Sequence, residues 1–497
     1  MKILMVYPEY PPTFWSFKYA LAFIRKKAAF PPLGLITVAA MLPADWEIRL
    51  TDLNIEKLGE KDIEWADMAM VGGMIVQEKS AREVITRLKA AGLPVIAGGP
   101  LFTPGPDSFP EVDTFILGEG ETTVPLFLAD LARGQTQRIY EAAGWPSLES
   151  TPSPRWDLVR MKAYNSMPVQ YSRGCPFNCE FCDIVARFGH VPRLKTDAQM
   201  LRELDALHAL GWRGGVFIVD DNFIGNPGRV KGFLRSLSGW LKTNRHPFNS
   251  FFTEVSINLA DDPELMRLMR EADFNNVFIG IETPDEEGLQ SCGKLQNLKG
   301  DLLERVKTIQ HNGMGVWGGF ILGFDTDRPG VFDRMAEFIR KSGIVTAMVG
   351  LLTALPKTRL YDRLKSTGRL IAESDGNNTS SHINFIPKMD VRTLVKGYQD
   401  TLAGIFHPKE IYGRIVTFLR EYRPVVKHRM REIRSYFGAF FKTVWKLGIR
   451  DKGRIQFWKM ILWTLTHRPR LIADAIVLAV YGYHFRRMYG EEIRRPI

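Results

Sequence analysis

The sequence predicts an α/β protein built of three parts in a row. Residues 1–135 alternate short apolar strands with helices, which indicates a flavodoxin-like, doubly wound domain. Residues 167–370 repeat a strand–helix unit six times, which predicts a partial (βα)6 barrel. Residues 371–497 show helical patterns. The stretch 136–166 contains prolines and few periodic apolar positions, so we expect it to be a linker.

The amino-terminal part is expected to bind a ligand at one edge of its sheet. The predicted strands are Lys2–Tyr7, Glu47–Thr51, Met68–Met74, Pro94–Ala97 and Thr114–Leu117, and the predicted helices are Gly34–Leu42, Ser80–Ala91 and Thr122–Ala132. Glycines mark the carboxyl ends of three strands, at Gly72-Gly73-Met74, Gly98-Gly99-Pro100 and Gly118-Glu119-Gly120-Glu121. Ligands of such sheets bind outside the carboxyl ends of the strands, where glycine admits a bulky group. Because no G-x-G-x-x-G follows the first strand, a nicotinamide site is not expected.

Polar residues follow the strands of the predicted barrel. The strands are Val169–Ser172, Gly215–Val219, Phe251–Ser256, Asn276–Ile281, Val316–Leu322 and Val345–Leu352, and the helices are Asp197–Leu210, Arg229–Thr243, Pro263–Glu271, Asp301–Asn312 and Gly330–Lys341. Active residues of parallel barrels lie at the carboxyl ends of the strands. The sequence places Asp220-Asp221-Asn222, Glu254, Glu282 and Gly323 there. A single acid at such a position is often a solvated strand end or a helix cap, but several at successive strands favour a binding site.

The carboxyl-terminal part carries the excess positive charge of the chain. The net charge is +11, and residues 410–497 contain 19 Lys and Arg against 7 Asp and Glu. The helices predicted here are Val391–Phe406, Lys409–Glu421, Val425–Phe440 and Ile455–Leu465. Basic helices with tryptophan and tyrosine suit peripheral contact with a membrane or a hydrophobic substrate. The plain alternative is a helical cap with a solvated basic face. Nucleic acid is not expected, because no known binding motif is present.

Three of the four cysteines lie close together, at Cys175, Cys179 and Cys182, with the spacing C-x3-C-x2-C. Cysteine thiolates are the usual ligands of iron–sulfur clusters, which normally take four of them. Three thiolates on one loop leave the fourth iron of a [4Fe–4S] cluster open to a small molecule. A zinc site would need a fourth ligand, for which His190 is the nearest candidate. Four cysteines in so long a chain do not suggest a disulfide framework.

Ser172-Arg173-Gly174 and the three cysteines together resemble the motif of the radical S-adenosylmethionine (SAM) superfamily. The resemblance implies that the open iron is chelated by the amino and carboxylate groups of SAM, which an electron then cleaves to a 5′-deoxyadenosyl radical. It also implies that Asp221, Asn222, Glu254 and Glu282 contact polar groups of SAM, and that Gly323 faces its adenine.

The amino-terminal part resembles the cobalamin-binding domain joined to one class of these enzymes. Gly73-Met74 and Gly98-Gly99 match the places where the nucleotide tail of cobalamin enters the sheet in that class. Pro31-Pro32-Leu33-Gly34-Leu35 also recurs there, as a loop near the corrin ring. The motif D-x-H-x-x-G, whose histidine ligates cobalt from below, is absent after the first strand, so the lower cobalt face is expected to lack a histidine. The alternative is a flavodoxin-like domain whose glycines only make tight turns.

The order of the parts resembles cobalamin-dependent radical SAM methyltransferases, in the branch with a helical carboxyl-terminal domain that includes the hopanoid 2-methylase. This implies methylation of an unactivated carbon in a hydrophobic, hopanoid- or tetrapyrrole-like substrate, with a flavodoxin or ferredoxin as reductant. Two alternatives remain open: cyclisation or rearrangement without methyl transfer, and a non-catalytic sensor.

The cellular location is expected to be the cytoplasm, with peripheral membrane association left open. The amino terminus reads as a strand rather than a signal peptide, and no run of eighteen apolar residues occurs. A reducing compartment suits free cluster thiolates. The fourth cysteine, Cys292, lies after the fourth strand of the barrel and is expected to be an incidental thiol, with a substrate-side role as the alternative.

Overall fold

The computed structural model describes residues 1–103, 105–142, 144–424 and 433–495. Two parallel β-sheets of six strands each are followed by a group of helices. The predicted fold class is confirmed: a doubly wound domain, a partial six-stranded barrel and a helical region follow one another in the expected order.

The first sheet belongs to the doubly wound domain. Its strands are β1 (Lys2–Tyr7), β2 (Glu47–Asp52), β3 (Met68–Gly72), β4 (Val95–Gly98), β5 (Thr114–Leu117) and β6 (Ile139–Glu141), and its helices are α1 (Lys18–Leu21), α2 (Leu33–Ala39), α3 (Glu60–Trp65), α4 (Glu78–Ala90) and α5 (Gly120–Ala132). All strand pairs are parallel, in the order β2-β1-β3-β4-β5-β6. The direction of winding therefore reverses between β1 and β3, and such a switch point opens a ligand crevice at the carboxyl ends of the strands.

The stretch predicted as a linker, residues 136–166, is in part structured. Its residues Ile139–Glu141 form β6, which extends the first sheet beside β5. Trp156 and Tyr164 are buried, and the Tyr164 hydroxyl donates a hydrogen bond to Asp52 at 2.8 Å. A three-residue strand is too short to give a periodic pattern, which is why the sequence indicated a linker.

The second sheet forms the barrel. The strands in this region are β7 (Ser166–Val169), β8 (Ser172–Arg173), β9 (Arg193–Leu194), β10 (Gly215–Ile218), β11 (Phe251–Val255), β12 (Phe274–Glu282), β13 (Gly315–Leu322) and β14 (Ala347–Leu351), and the helices are α6 (Ile184–Phe188), α7 (Asp197–Ala209), α8 (Pro227–Thr243), α9 (Pro263–Glu271), α10 (Glu286–Ser291), α11 (Leu302–His311), α12 (Val331–Ser342) and α13 (Arg359–Ser366). Six strands pair in parallel in the order β7-β10-β11-β12-β13-β14.

The first barrel strand differs from the prediction of residues 169–172. The barrel strand β7 ends at Val169, and β8 leaves the sheet to pair antiparallel with β9. The buried carboxylate of Asp220 accepts hydrogen bonds from the backbone N–H groups of Tyr171 and Ser172, at 2.7 and 2.8 Å. These bonds replace the ladder of a continuous strand, so the chain turns there.

The carboxyl-terminal helices are α14 (Val391–Ile405), α15 (Pro408–Glu421), α16 (Ile433–Thr443), α17 (Arg454–His467) and α18 (Ile472–Met488). A π-helical segment, Val444–Arg450, continues α16. Of the helix predicted at 425–440, residues 425–432 lie outside the described residues. Across the described ranges, none of the helices has the length and apolarity needed to cross a membrane.

Aromatic side chains from all three parts of the chain meet inside the barrel. Trp15, from the loop after β1, stacks on Phe217 of β10 with ring centroids 5.9 Å apart and also contacts Phe278 of β12 at 5.2 Å. Trp317 of β13 contacts Tyr481 of α18 edge-on at 5.9 Å. The loop after β1 thus fills part of the barrel interior.

Candidate active site

The three cysteines lie in one loop that a short ribbon encloses. Strand β8 places Arg173 opposite Arg193 of β9. Gly174 has a φ of 101°, and a Cβ atom there would lie 3.0 Å from the carbonyl oxygen of Gly189. The N–H of Cys175 donates to the same oxygen at 3.2 Å. The two ends of the loop are therefore tied together next to the first cysteine.

All three thiols are half-buried and lie near one cation. Burial raises the pKa of Cys175, Cys179 and Cys182, that of Cys182 to about 12, and the charge of Lys294 opposes this effect on each. A metal-bound thiol is deprotonated, so ligation of iron would place negative charge beside the Lys294 ammonium. The three thiols and their cation fit an anionic iron–sulfur cluster.

The arrangement favours a cluster over a single zinc ion. Zinc requires four ligands in one tetrahedron. In the ranges that the structure describes, no three His, Cys, Asp or Glu side chains are grouped around one point as a single ion would require. His190, the candidate fourth zinc ligand, is exposed. A cubane takes each thiolate on a different iron, so its ligands stand further apart than those of one ion.

Strand β12 ends in a bulge that holds Glu282 beside the cysteine loop. The register shifts between Gly280 and Glu282, and Glu282 has a φ of +65°, a strained value for a residue other than glycine. Its carboxylate pairs with the Lys294 ammonium at 2.6 Å. A Cβ atom on Gly280 would lie 2.2 Å from Oε1 of Glu282, so glycine makes room for the pair. Burial opposes the charge of Lys294, but Glu282 and Cys179 raise its pKa above the ordinary value.

The three polar residues after β10, Asp220, Asp221 and Asn222, differ in how they hydrogen-bond with the rest of the protein. Asp220 is buried and accepts three hydrogen bonds from Tyr171 and Ser172, and burial raises its pKa to about 7. The Asn222 side-chain oxygen accepts from the Ser256 N–H at 3.2 Å. Asp221 is half-buried and accepts one long bond, 3.4 Å, from Gly174. Asp221 is thus the member of the triplet with most capacity left for a ligand.

Glu254 projects into the barrel without a protein partner. Burial, Asp221 and Asp220 raise its pKa to about 8. Among the described residues, no hydrogen-bond donor reaches its carboxyl. The strand register places Glu254 beside Phe278, and Phe278 beside Trp317. A half-buried carboxyl that lacks a counter-charge fits a cationic ligand such as the SAM ammonium.

Two glutamates of the amino-terminal domain clamp the ribbon around the cysteine loop, which the sequence did not reveal. Glu121 at the start of α5 accepts two bonds from Arg173, at 2.8 and 3.0 Å. Glu119 pairs with both Arg173 and Arg193. The Glu119 and Glu121 side chains are at most 4% exposed, and those of Arg173 and Arg193 at most 18%. The clamp fixes the carboxyl edge of the first sheet against the cysteine loop.

Helix α13 fixes the other side of the cysteine loop. Arg363 binds the Glu180 carboxylate through two nitrogens, at 2.6 and 3.0 Å. It also donates to Asp325, three residues after β13, at 2.8 Å. Arg359 donates to the carbonyl oxygen of Asn178. The residues on both sides of Cys179 are therefore held by side chains that are 181 and 183 positions away in the sequence.

The glycines at the edge of the first sheet serve two purposes. Gly99 has a φ of +92°, and a Cβ atom there would lie 3.1 Å from the carbonyl oxygen of Gly73, so the close approach of these two loops requires glycine at position 99. A Cβ atom on Gly98 would lie 3.0 Å from a backbone oxygen of β5. By contrast, a Cβ atom on Gly118 would meet nothing within 4 Å, and Met74 is 49% exposed. This edge offers open space of the kind that a bulky cofactor requires.

Gly323 and Cys292, which the sequence analysis named, are both packed against other parts of the protein. Gly323 has a φ of +107°, donates its N–H to Asp327 at 2.7 Å, and packs against Leu394 of α14. Cys292 is buried in an apolar cluster, and its carbonyl oxygen accepts the N–H of Glu180 at 2.8 Å. Burial raises the pKa of the Cys292 thiol to about 12. These surroundings suit an inert thiol.

Three family models match consecutive parts of the chain. Residues 23–128 match the B12 binding domain, residues 169–339 the Radical SAM superfamily, and residues 358–496 a domain of unknown function (DUF4070). Curated relatives match over nearly the whole length. An uncharacterized methyltransferase of Synechocystis sp. (strain PCC 6803) is 42% identical, over 100% of this chain and 93% of the relative. The hopanoid C-2 methylase of Rhodopseudomonas palustris (strain TIE-1) is 34% identical, over 99% of this chain and 94% of that protein.

The chain belongs to the cobalamin-dependent radical SAM methyltransferases. These matches confirm the predicted family and its enzymatic activity. They do not support the alternative of a non-catalytic sensor. As a member of this family the enzyme uses a [4Fe–4S] cluster, SAM and cobalamin.

The fold of this methyltransferase is also that of a solved structure. The cobalamin-dependent SAM radical enzyme OxsB, with aqua-cobalamin and SAM bound, superimposes with a TM-score of 0.64 at 13% identity, over 100% of this chain and 84% of that one.

Proposed function

We propose that this methyltransferase methylates an unactivated carbon of a hydrophobic, polycyclic substrate of the hopanoid or tetrapyrrole type. The observation that carries the proposal is the aromatic interior of the barrel, to which Trp15, Phe278 and Tyr481 from three parts of the chain contribute. Flat aromatic side chains bind apolar rings through contact area. The hopanoid substrate named in the Rhodopseudomonas relative is of this chemical class.

Bound cluster, SAM and cobalamin supply the methyl group and the radical chemistry, and the protein positions them. We assign Cys175, Cys179 and Cys182 as ligands of three irons, so that the fourth iron is free for SAM. Lys294 would balance the charge of this anionic group in a place that water reaches poorly, and Glu282 would hold Lys294 in position.

The SAM contacts are assigned to groups at the carboxyl ends of the barrel strands. Burial raises the pKa values of Asp221 and Glu254; the charge of Arg173 offsets only part of the rise at Asp221, and among the described residues no cation offsets it at Glu254. A bound ammonium would supply that charge. Asn222 contributes by fixing the neighbouring strand, and Glu282 through Lys294. Gly323 would lie at the adenine side, where its turn brings the backbone close.

Cobalamin is assigned to the carboxyl edge of the first sheet, at Gly73, Met74, Gly98 and Gly99. The loop after β1 carries Trp15 into the barrel and contains no histidine. The lower face of cobalt would therefore have no imidazole ligand from this loop. The Glu119 and Glu121 clamp would keep the corrin at a fixed distance from the cluster.

The cellular setting is also part of the proposal. A flavodoxin or ferredoxin would supply electrons in the cytoplasm. We place the domain boundaries near residues 135, 166 and 370, with β6 as an outlying strand of the first domain. An apolar polycyclic substrate partitions into lipid, so peripheral membrane contact through the basic helices would give access to it.

The test is product analysis under anaerobic conditions. The reconstituted enzyme receives SAM, a low-potential reductant and a lipid extract from a strain that lacks the gene. We expect a lipid heavier by one methylene group, together with both S-adenosylhomocysteine and 5′-deoxyadenosine. The appearance of 5′-deoxyadenosine without S-adenosylhomocysteine would instead support cyclisation or rearrangement. A methylated tetrapyrrole, and no methylated lipid, would correct the substrate within its class.

A further inference from the structure

The outer side of the carboxyl-terminal helices carries an unusual apolar surface. Helix α17 buries one side, with Phe457, Met460 and Ile461, against the rest of the protein. Its opposite side is also apolar: Trp458 and Leu462 are 46% and 64% exposed. An ordinary surface helix has a polar outer face, so an apolar one indicates a partner.

The same surface continues onto the π-helical segment before α17. The indole N–H of Trp458 donates to the carbonyl oxygen of Gly448 at 2.9 Å, and a Cβ atom on Gly448 would lie 3.0 Å from the indole ring. Glycine thus lets the two segments join. We define the apolar face by Phe441, Trp445, Ile449, Trp458, Leu462 and Leu465, which are all at least 46% exposed.

Cations are frequent in the segments that carry the apolar face, while acids are nearly absent. Residues 438–470 contain eight Lys and Arg and one acid, Asp451, which pairs with Arg486. Within the ranges that the structure describes, Lys452, Arg454 and Lys459 form no ion pair. Exposed tryptophan and leucine with a rim of free cations is the pattern of a helix lying in the interface of an anionic bilayer.

We propose that the apolar face docks on the surface of a membrane that contains anionic lipid. Helix α17 has 14 residues and is about 21 Å long, which is too short to cross a hydrocarbon core of about 30 Å. It therefore lies along the surface, with its tryptophans at headgroup level and its cations on lipid phosphates. This names the partner of the proposed peripheral contact, and lipid binding itself does not depend on the methylation reaction.

The neighbouring helix α18 connects this surface with the barrel. It packs against α17 on one side, and its Tyr481 contacts Trp317 of β13 in the barrel interior. Phe485, one turn later, stacks on Phe14 of the loop after β1 at 5.0 Å. If α17 docks on the membrane, only α18 separates the lipid, in which an apolar substrate dissolves, from the aromatic interior of the barrel.

The test is co-sedimentation of the full-length protein with vesicles of phosphatidylcholine, with and without about one-third phosphatidylglycerol. We expect binding to the anionic vesicles that weakens at high salt. Leu462→Ser should weaken binding about tenfold, whereas Leu210→Ser, at a similarly exposed leucine outside the apolar face, should not. Replacing Lys452, Arg454 and Lys459 together by Gln should weaken binding about a hundredfold, since each cation near an anionic surface contributes about fivefold.

Three outcomes would overturn the proposal. The first is an absence of binding to anionic vesicles. The second is binding that Leu462→Ser and Leu210→Ser weaken equally. The third is a dimer in light scattering that Leu462→Ser converts to a monomer without any vesicle binding, which would assign the apolar face to a second copy of the chain. Because vesicle binding needs no cofactor, none of these outcomes depends on whether the proposed reaction is correct.

Discussion

Arg173 links the cysteine loop to the amino-terminal domain, and the variant Arg173→Met tests what this link does. The side chains of Arg173 and Glu121 are 12% and 3% exposed. Removing one partner of a buried ion pair costs about 3–5 kcal/mol, because the other charge is left uncompensated. Arg173 keeps some contact with water, and Glu119 keeps Arg193. We therefore expect Arg173→Met to lower the free energy of unfolding by about 2–3 kcal/mol.

A double-mutant cycle with Glu121→Gln isolates the pair. The double variant should cost less than the sum of the single variants by about 1–3 kcal/mol. Burial raises the pKa of Glu121, but Arg173 holds it below the ordinary value of 4.5. This contribution to stability is present above that value and is lost as the pH falls below it. The difference between wild type and Arg173→Met should therefore shrink in acid.

The functional readout is the ratio of products. SAM cleavage needs only the barrel and its cluster, whereas methyl transfer needs both domains in register. Arg173→Met should therefore release more 5′-deoxyadenosine per methyl group transferred. Arg235→Met, which removes an exposed pair with Glu264, is the matched control and should change neither stability nor the ratio. Strictly additive single variants, or an unchanged product ratio in Arg173→Met, would refute a positioning role.

Three further predictions concern single residues. Because the pKa of Glu254 is raised to about 8, a cation that binds beside it at pH 7 should release protons, and SAM binding should tighten as the pH rises toward 8. Titration calorimetry in buffers of different ionisation enthalpy should show this proton release for wild type and not for Glu254→Gln. Cys182→Ser should lose most of the iron bound after reconstitution, while Cys292→Ser should keep it, as measured by iron and sulfide analysis. Gly99→Ala should lower the melting temperature more than Gly92→Ala. Both glycines have positive φ, so both variants carry a backbone strain of about 1–2 kcal/mol, but an added Cβ atom meets backbone only at Gly99. Equal losses would show that this strain is the whole effect and would contradict a cost from the contact at Gly99.

Much of the fold was predictable because its pattern is local. Buried parallel strands such as Lys2–Tyr7 are continuous apolar runs, and the helices between them begin at capping residues such as Asp262. The short strands were not predictable. Strand β6 has three residues and β8 has two, and their pairing depends on neighbours that are distant in sequence.

The site was predictable only as far as residue types. The cysteine spacing predicted a cluster loop, but three adjacent polar residues after β10 gave no sign that Asp220 and Asn222 bind protein groups while Asp221 accepts only one long hydrogen bond. The Glu119–Arg193 pair joins positions 74 residues apart, and nothing in the sequence relates them. Lys294 lies two residues after Cys292, and only the folded chain brings it beside both Glu282 and the three thiols.

The central claim is that three cysteines leave one iron of a cubane cluster free to bind SAM. Electron paramagnetic resonance of the reduced, anaerobically reconstituted protein tests this most directly. We predict a [4Fe–4S] signal that shifts when SAM is added and shows coupling to a labelled SAM carboxylate oxygen, and that is lost in Cys179→Ala. A signal that SAM leaves unchanged, or that survives in Cys179→Ala, would contradict the claim.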